Sequence, residues 1–426
     1  MSKIIKKAAA LLLAIFIFSS GIQEVFAESE GFANESMTAV YARTPYGKSD
    51  VSILWNTKEA DTAGVPVSVG EFVLLPVLNK VNKLNDTDGS TAGSVSFDEK
   101  VSENCRGAVV NQTLIQPTRT CIYAVDIENM TVKCSKSFGT IVTDVAAVDN
   151  LVYFGTKQEK GYKFHCADLN SNLETVWEYE SDEAVTSPAL LNDIVLFGAG
   201  SRLVCRNEEG FAENTLPAVI TSVFAGNYAV FMTGNDGNVY KLRLESDGSA
   251  EKDSLLSCKI GGELSPPAEY ENRLYISSTE GFFILDALNM DVEKSFPELK
   301  NPESSSESCA PLISYGSGTR AYIAVPHKDE NGDRWYLYSI LDSEEEITVS
   351  EIVKIIDFSN GEAVISKSGK MFFRDNLGQL WAIAVKETNI FVIILKLVLM
   401  AGIIVILVII IFTWSKKRAA KRPPQY

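Results

Sequence analysis

The amino-acid sequence predicts an all-β fold: an eight-bladed β-propeller closed by an N-terminal strand and followed by one transmembrane helix. Three observations carry the prediction: a strand pattern that recurs eight times, an apolar strand before the first repeat, and an apolar segment after the last one. Short strands that repeat at a period near forty residues are typical of four-stranded units around an axis. Because such a repeat supplies a surface rather than a chemistry, function needs its own evidence.

The recurring pattern is a five-residue apolar strand that ends on a small or polar residue and precedes a turn. Its last residues are separated by steps of 36 to 53 residues. We number the residues of each copy as repeat positions one to five. Asp or Asn at position five is predicted to bond the backbone of the following turn. The copies are 81–85, 122–126, 164–168, 203–207, 239–243, 282–286, 335–339 and 380–384.

Each copy is predicted to be the third strand of a blade. A strand carrying Pro, Ala or Val opens the unit, and a weaker strand such as 175–179 closes it. Second strands read as continuous apolar runs, which indicates burial on both faces between neighbouring blades. These runs are 72–75, 151–154, 194–197, 229–232, 274–276, 321–324 and 371–373.

The last unit, 361–385, supplies only three strands, and the missing one is predicted at the other end of the chain. Ile53, Leu54 and Trp55 belong to an apolar strand with no repeat of its own, and Trp55 matches the position of Trp177. Pairing this strand with the last blade closes the ring and removes exposed sheet edges.

The N-terminus has the layout of a secretory signal peptide, residues 1–27. Three lysines precede a short apolar run at 8–18, and small residues lead to a cleavage point after Ala27. An uncleaved membrane anchor is the alternative interpretation. Residues 28–48 are polar and non-periodic, which predicts a flexible lead-in to a propeller spanning 49–386.

The C-terminus predicts a transmembrane helix at 390–414, since residues 397–414 carry no charge over about the length of a bilayer core. Five cations in the tail 415–426 place that end in the cytoplasm by the positive-inside rule. A wall-sorting signal has the same outline, but no LPxTG-like motif precedes it. We therefore expect a single-pass protein of the cell membrane with its propeller outside.

The exterior part of the chain is acidic. The formal charge of the whole chain is −16, and removing the cationic ends leaves −24. An acidic exterior argues against binding nucleic acid or anionic lipid, and it can attract basic partners.

The third strand, its Asp and a downstream Trp resemble the PQQ-type repeat over about residues 51–385. The copies most similar to this repeat are residues 122–126, and Asp168 with the downstream Trp177. The Thr-Gly pair of the repeat is replaced, for example by Asn129-Met130, and most copies lack the Trp. The resemblance implies either a quinoprotein dehydrogenase or a non-catalytic propeller such as the BamB-like outer-membrane assembly lipoprotein, which acts as a scaffold.

The motifs of an enzyme are missing from the sequence. A quinoprotein needs an axial pocket, calcium and a general-base Asp, often with a disulfide of adjacent cysteines. This chain has no Cys-Cys pair, no haem-attachment motif, no G-x-S-x-G elbow and no phosphate-binding loop. We expect no catalytic residue, cofactor or metal ligand; PQQ and calcium belong only to the quinoprotein alternative.

The remaining candidates are loops, cysteines and histidines. Of seven cysteines, Cys121 and Cys134 flank one predicted hairpin and are the candidate disulfide. Cys166 and Cys205 occupy the small buried third position, and His165 is predicted to be a packing residue. An insertion at 326–334 and the linker 300–308 are candidate contact surfaces. The candidate partner-binding loop comprises His327, Lys328, Asp329, Glu330, Asn331 and Asp333; its oxygens favour a solvated turn over a metal site.

Together these features predict a non-catalytic, membrane-anchored scaffold that binds an envelope or membrane protein, or another ligand, outside the cell. Two alternatives stay open: a PQQ-dependent oxidoreductase, and an envelope sensor or adhesion protein. The sensor must signal through a tail of only twelve residues.

Overall fold

The structure, a computed structural model, describes residues 51–57, 64–102, 105–301, 311–316, 318–329, 332–342, 347–355, 358–366, 368–375 and 379–385. In this part of the chain, antiparallel strands form eight sheets, here called blades 1 to 8. Each blade uses strands that are consecutive in sequence, except blade 8. The predicted signal peptide, lead-in, transmembrane segment and tail lie outside the described residues.

Blades 1 to 4 follow one another along the chain. Blade 1 comprises β2 (Val67–Val69), β3 (Phe72–Val77), β4 (Lys80–Asn85) and β5 (Thr91–Ser96). Blade 2 comprises β6 (Ala108–Val110), β7 (Thr113–Pro117), β8 (Cys121–Asp126) and β9 (Thr131–Ser137). Blade 3 comprises β10 (Thr140–Ile141), β11 (Ala146–Val148), β12 (Leu151–Lys157), β13 (Tyr162–Asp168) and β14 (Glu174–Ser181), with a 3-10 turn at Leu169–Ser171. Blade 4 comprises β15 (Ala189–Leu191), β16 (Ile194–Ala199), β17 (Arg202–Arg206) and β18 (Phe211–Thr215).

Blades 5 to 8 complete the series, and the last takes its outer strand from the N-terminus. Blade 5 comprises β19 (Ile220–Ala225), β20 (Val230–Gly234), β21 (Asn238–Leu242) and β22 (Leu256–Lys259). Blade 6 comprises β23 (Ala268–Tyr270), β24 (Arg273–Ser278), β25 (Gly281–Asp286) and β26 (Val292–Phe296). Blade 7 comprises β27 (Leu312–Gly316), β28 (Gly318–Asp329), β29 (Gly332–Asp342) and β30 (Ile347–Ile355). Blade 8 comprises β31 (Phe358–Ile365), β32 (Met371–Asp375), β33 (Leu380–Val385) and β1 (Val51–Asn56).

The apolar core consists of clusters between neighbouring blades, and these clusters close a ring. Among the described residues there is one cluster for each of the eight interfaces, including the interface of blade 8 with blade 1. Alternate residues of one strand serve opposite neighbours: Phe154 packs toward blade 2, whereas Tyr153 packs toward blade 4. The eight-bladed propeller predicted from the repeats is therefore confirmed.

The ring has two faces that differ in their turns. We call the turns between first and second strands and between third and fourth strands the lower turns. The upper turns join second to third strands and each blade to the next. Third strands therefore run from the upper to the lower face. First strands of successive blades lie beside one another around the axis, as β6 does with β2 and β11.

Repeat positions predicted from the sequence coincide with a structural feature of the third strand. In six of the eight described blades, a β-bulge in the fourth strand lies opposite repeat positions three and four. The inserted residue bends the outer strand and increases its twist. Trp55 lies opposite Ala382 and Trp177 opposite Cys166, both position three, so the two tryptophans are equivalent.

Position five caps the lower turn as its chemistry predicts. The Asp126 Oδ1 accepts the backbone N–H of Asn129 at 2.9 Å, and the Asp168 Oδ1 accepts that of Asn170 at 3.0 Å. The Asn207 Oδ1 accepts the N–H of Glu209 at 2.9 Å. These bonds fix the start of each fourth strand.

Two lysines at position three bridge neighbouring blades. The Lys83 Nζ donates to the carbonyl of Ile127 at 3.0 Å, and the Lys241 Nζ donates to the carbonyl of Leu288 at 2.9 Å. Both side chains are buried, and Lys83 also lies 4.2 Å from the centroid of the Phe72 ring. The other copies carry Ala, Cys, Ile or Leu at this position, so the bridge is confined to blades 1 and 5.

Blade 8 joins the two ends of the described chain. Strand β1 pairs antiparallel with β33, with Val51 opposite Val385 and Asn56 opposite Trp381. The Trp55 indole packs on Phe372 within the cluster between blades 8 and 1. Ile53, Leu54 and Trp55 thus belong to the outer strand of the last blade.

Candidate functional site

The predicted partner-binding loop is the upper end of a β-hairpin in blade 7. His327 pairs with Arg334, Lys328 with Asp333, and Asp329 with Gly332, whereas Glu330 and Asn331 lie outside the described residues. Blade 3 has a hairpin of the same length, since Lys157 pairs with Tyr162 at the equivalent position. The insertion predicted at 326–334 is present, since Pro326 pairs with Trp335 nine residues later, whereas Pro76 of blade 1 pairs with Val81 five residues later. It is not the longest hairpin of its kind, because blade 3 has one of the same length. The linker 300–308 is described only at Lys300 and Asn301.

Blade 7 has further extra length at its lower end. Strand pairing continues beyond position five, Ser339, to the pair of Thr319 and Asp342. The Asp342 carboxylate is buried against blade 6, where it accepts from Arg273 at 2.6 Å and from the Tyr275 hydroxyl at 2.9 Å. Burial, followed by the neighbouring Asp342 carboxylate, raises the pKa of Tyr275. This extension locks blade 7 onto blade 6.

The candidate disulfide is absent, and both thiols are free. Cys121 lies opposite Ser137, whereas Cys134 lies opposite Ala124. A displacement of three residues along a strand corresponds to about 10 Å, which exceeds the Cα separation of about 7 Å that a disulfide tolerates. The two side chains also serve opposite faces of blade 2, because Cys121 packs toward blade 1 and Cys134 toward blade 3.

His165 is a packing residue, as its position in the repeat predicts. Its ring is buried, stacks on Phe154 at 5.2 Å and packs beside Phe138 at 5.3 Å. The Nε2 atom forms a hydrogen bond of 2.9 Å with the Thr156 hydroxyl, and Nδ1 has no hydrogen-bond partner. Burial lowers the pKa of His165 to about 4, although the Glu178 carboxylate opposes this shift. A neutral imidazole in this position has a structural role.

Near the axis, a polar chain joins three blades at the upper face. The Asp144 Oδ1 accepts the backbone N–H of Arg106 at 2.7 Å, and the backbone N–H of Asp144 donates to the Ser187 hydroxyl at 3.1 Å. Burial raises the pKa of Asp144. This carboxylate is thus occupied in joining blade 2 to blade 3.

The quinoprotein alternative requires a calcium ion beside the quinone. Calcium takes six to eight oxygen ligands in proteins. Over the part of the chain that the structure describes, no group of three or more His, Cys, Asp or Glu side chains could hold a metal ion.

The described surface with the composition of a binding site lies between the outer strands of blades 3 and 4. Trp177 on β14 faces Phe211, the first residue of β18, with an edge-on ring contact of 5.4 Å. Tyr179, two residues beyond Trp177, lies 5.3 Å from Phe211. The Arg206 guanidinium lies over both rings, 5.8 Å from Trp177 and 5.2 Å from Phe211. We call Trp177, Tyr179, Arg206 and Phe211 the aromatic–arginine surface.

Local structure explains how these four side chains meet. The bulge opposite Cys166 places Trp177 toward blade 4, and the two-residue period of the strand gives Tyr179 the same direction. Strand β17 ends at Arg206, and the Asn207 side chain caps the turn that follows it. The next strand begins at Phe211, which pairs with Arg206. Below the surface, Phe164 and Phe197 stack with centroids 3.8 Å apart, so the surface rests on a rigid apolar base.

The aromatic–arginine surface combines solvent exposure with a fixed polar frame. Phe211 is 43% exposed, whereas the other three side chains are half-buried. The Tyr179 hydroxyl donates to Glu213 at 2.8 Å, and burial raises the pKa of Tyr179 to about 12. The Arg206 Nη1 donates to the Gly210 carbonyl at 3.2 Å, whereas its Nε has no partner. The Nε atom is itself buried, so the group offered to a partner is the exposed Phe211 ring, which an aromatic or apolar group can bind.

Sequence reasoning missed this surface because it crosses two blades. Trp177 and Tyr179 are visible as aromatic residues of an outer strand, but their direction depends on the bulge. Arg206 follows Cys205 at position four, where the other copies carry Leu, Val, Ala, Ile or Tyr, and that departure is the available signal.

No helix within the described residues combines the length and apolar character needed to cross a membrane. The segment 390–414 lies outside them.

Comparisons with known proteins support the fold. No protein-family model matches the sequence, and no curated protein sequence matches it. The structure is similar to the crystal structure of BamB from Moraxella catarrhalis, with a TM-score of 0.53 and 12% identity, covering 78% of this chain and 99% of that one. It is similar to the computationally designed Ika8 protein, with a TM-score of 0.56 and 11% identity, covering 78% of this chain and 99% of the designed one.

A third similar structure is the quinohemoprotein alcohol dehydrogenase ADHIIG from Pseudomonas putida HK5. Its TM-score is 0.57 and its identity 10%, covering 84% of this chain and 79% of that one. At such low identity these similarities establish the fold alone, an eight-bladed ring like those of BamB and the PQQ-type enzymes.

Proposed function

We propose that this PQQ-like propeller is a non-catalytic scaffold that binds a protein at the outer side of the cell membrane. Signal cleavage after Ala27, a transmembrane helix at 390–414 and a cytoplasmic tail at 415–426 are part of the proposal. The sequence patterns of the two ends support these three features.

The aromatic–arginine surface is the observation that carries the binding role. Trp, Tyr and Arg are enriched among the residues that dominate the binding energy of protein interfaces. Here Phe211 is exposed, and the Arg206 guanidinium lies 5.2 Å from the centroid of its ring. The rigid base formed by Phe164 and Phe197 reduces the entropy cost of binding, because the contact residues are already ordered.

The predicted hairpin loop of blade 7 is a second candidate contact on the upper face. The sequence alone supports the proposal that this loop binds a partner. Under the quinoprotein alternative, an axial pocket would hold PQQ and calcium. Under the sensor or adhesion alternative, binding of a ligand outside the cell would trigger a signal or attach the cell to a surface.

The test uses the full-length chain in its native membranes. Tagged wild type is compared with Phe211→Glu, and Leu256→Glu serves as a matched control. Leu256 is the first residue of the outer strand of blade 5 and is 39% exposed, close to the 43% of Phe211. We expect one specific protein to copurify with wild type and with Leu256→Glu, and at least tenfold less of it with Phe211→Glu.

Two outcomes contradict the proposal. Equal recovery of the partner with both variants removes the binding role from the aromatic–arginine surface. Dye reduction by alcohols or sugars after addition of PQQ and calcium to the purified chain supports the oxidoreductase instead.

A further inference from the structure

Two exposed apolar side chains lie at the lower end of the interface between blades 5 and 6. Tyr228, in the turn between β19 and β20, is 81% exposed, the highest value among the large apolar side chains of the described residues. Leu288, in the turn after β25, is 54% exposed. Their chain neighbours Ala229 and Ala287 both belong to the apolar cluster between these two blades. Tyr228 and Leu288 therefore lie beside one buried cluster, although they belong to different blades.

The turn that carries Tyr228 departs from the repeat. Other blades join their first and second strands through short turns such as 111–112 and 271–272, whereas blade 5 uses the longer turn 226–229. The backbone N–H of Gly226 donates to the Ala229 carbonyl at 2.9 Å and closes this turn. A Cβ atom at position 226 would lie 2.3 Å from Glu269 Oε2, so glycine is required for this close approach.

Each of the two blades supplies a charged side chain that holds the turn of the other. The Glu269 carboxylate of blade 6 accepts the backbone N–H of Asn227 at 2.8 Å, in the turn of blade 5. The Lys241 ammonium of blade 5 donates to the Leu288 carbonyl of blade 6 at 2.9 Å. Burial raises the pKa of Glu269, whereas the Asn227 N–H and the Lys241 ammonium oppose this shift. The backbone beside each exposed side chain is therefore fixed before a partner binds.

Glu269 is a departure from the repeat that the ring does not require. It pairs with Leu274 in the first strand of blade 6, and blades 1 to 4 carry at this position Ser68, Val109, Ala147 and Leu190. Partial burial of a carboxylate has a desolvation cost that these smaller or apolar residues avoid. Since Glu269 holds the one turn that exposes Tyr228, we assign the carboxylate to the presentation of that side chain.

The charge around Tyr228 and Leu288 is negative. The lower turns of blades 5 and 6 carry the acidic residues Glu245, Asp247, Glu251, Asp253, Glu271 and Asp291. Their basic residues are Lys252 and Arg243, and Arg243 is paired with Glu251 at 2.9 Å. An acidic surface attracts cationic side chains and repels the phosphates of lipids and nucleic acids. The face of an exposed tyrosine ring also attracts a lysine or arginine side chain.

We infer that this end of the interface docks a cationic segment of a partner protein, with a lysine or arginine over the Tyr228 ring and an apolar side chain against Leu288. We call Tyr228, Leu288 and Glu271 the acidic–apolar surface. It is separate from the aromatic–arginine surface between blades 3 and 4, so the inference goes beyond the proposed function. Charge complementarity selects the basic partner, and the fixed turns reduce the entropy cost of binding it.

The experiment measures, by fluorescence anisotropy, how a fluorescent synthetic peptide of lysine, arginine and leucine binds the purified full-length chain. Tyr228→Ala should weaken binding about tenfold, because the aromatic contact is lost. Glu271→Lys should weaken it about fivefold, because an attractive charge next to the site becomes repulsive. The matched controls are the exposed upper-face variants Val219→Ala and Glu159→Lys, which should keep the wild-type affinity.

Four outcomes overturn the inference. Equal losses with Glu271→Lys and Glu159→Lys would show attraction by the net charge of the chain rather than by a site. Unchanged affinity with Tyr228→Ala would remove the aromatic contact. Equal binding of a peptide in which glutamate replaces every lysine and arginine would remove the charge preference, and absence of binding to wild type would remove the site. None of these outcomes affects the copurification test with Phe211→Glu, so the two proposals fail separately.

Discussion

The indole Nε1 of Trp55 donates a hydrogen bond of 3.0 Å to the backbone carbonyl of Asp86, joining the outer strand of blade 8 to the lower turn of blade 1. The buried Asp86 carboxylate also receives the Lys370 ammonium at 2.7 Å, from the lower turn of blade 8. The ring is thus closed by side chains as well as by the pairing of β1 with β33.

We expect Trp55→Phe to lower the free energy of unfolding by about 1 kcal/mol, because it removes one hydrogen bond and keeps most of the packing. Trp55→Ala should cost about 3 kcal/mol, since the contact with Phe372 is lost as well. Urea unfolding followed by circular dichroism measures both. The neighbouring Leu54→Ala is the control and should change stability by less than about 0.5 kcal/mol. Equal stability of Trp55→Ala and wild type would show that the ring closes without this residue.

Asp342 is predicted to be the main polar contact between blades 6 and 7. Asp342→Asn should lower the free energy of unfolding by about 1 to 3 kcal/mol, because the hydrogen bonds from Arg273 and Tyr275 lose their charged acceptor. Tyr275→Phe should cost about 1 kcal/mol, and the double variant should cost less than both changes added together, since they share one contact. The exposed Asp291→Asn serves as the control. Strict additivity in this cycle would contradict the shared contact.

His165 should make stability depend on pH below neutrality. Burial lowers the pKa of His165 from 6.5 to about 4, so the unfolded chain binds a proton that the folded protein does not accept. The stability contributed by the neutral ring is present above pH 6.5 and is lost as the pH falls to 4, by about 3 kcal/mol.

Urea unfolding of wild type and His165→Gln at pH 7.0 and 4.5 measures this contribution. We expect His165→Gln to lose less stability between these pH values than wild type. The variant of the other histidine, His327→Gln, should keep the wild-type dependence. The same pH dependence in all three proteins would assign the effect to carboxylates instead.

Cys121 and Cys134 should both react as free thiols. Unfolding without reductant, alkylation and peptide mass spectrometry should find each cysteine alkylated, because the register keeps them about 10 Å apart. In the folded protein both should react slowly, since burial raises the pKa of each thiol. A disulfide-linked peptide pair in protein purified from the membrane would show that the strands slip from this register.

Sequence reasoning predicted the ring because its evidence is periodic. The third strands, the apolar second strands and the cap at Asp126 or Asp168 each follow from local patterns that recur in several copies. The strand containing Trp55 could be placed because the last unit had three strands and one strand remained unassigned.

The features that the sequence did not predict depend on the register between paired strands rather than on a recurring residue pattern. The sequence locates extra residues of blade 7 at 326–334, but it does not show that other extra residues extend the lower end of the blade to Asp342. The bulge opposite position three shifts the register of the fourth strand against the third. The distance between Cys121 and Cys134 therefore cannot be derived from the number of residues between them. Contacts between blades, such as that of Arg206 with Trp177, need the directions of both strands.

The pairing of Val51 with Val385 also has a consequence for how the protein is made. The strand that leaves the ribosome first has no partner until the last strand of the propeller has been synthesised. The ring of seven blades therefore stays open during this time, and the apolar surfaces of blades 1 and 7 that face the gap are exposed to aggregation. If the segment after Val385 is what halts translocation, the event that anchors the chain is also the event that allows it to finish folding.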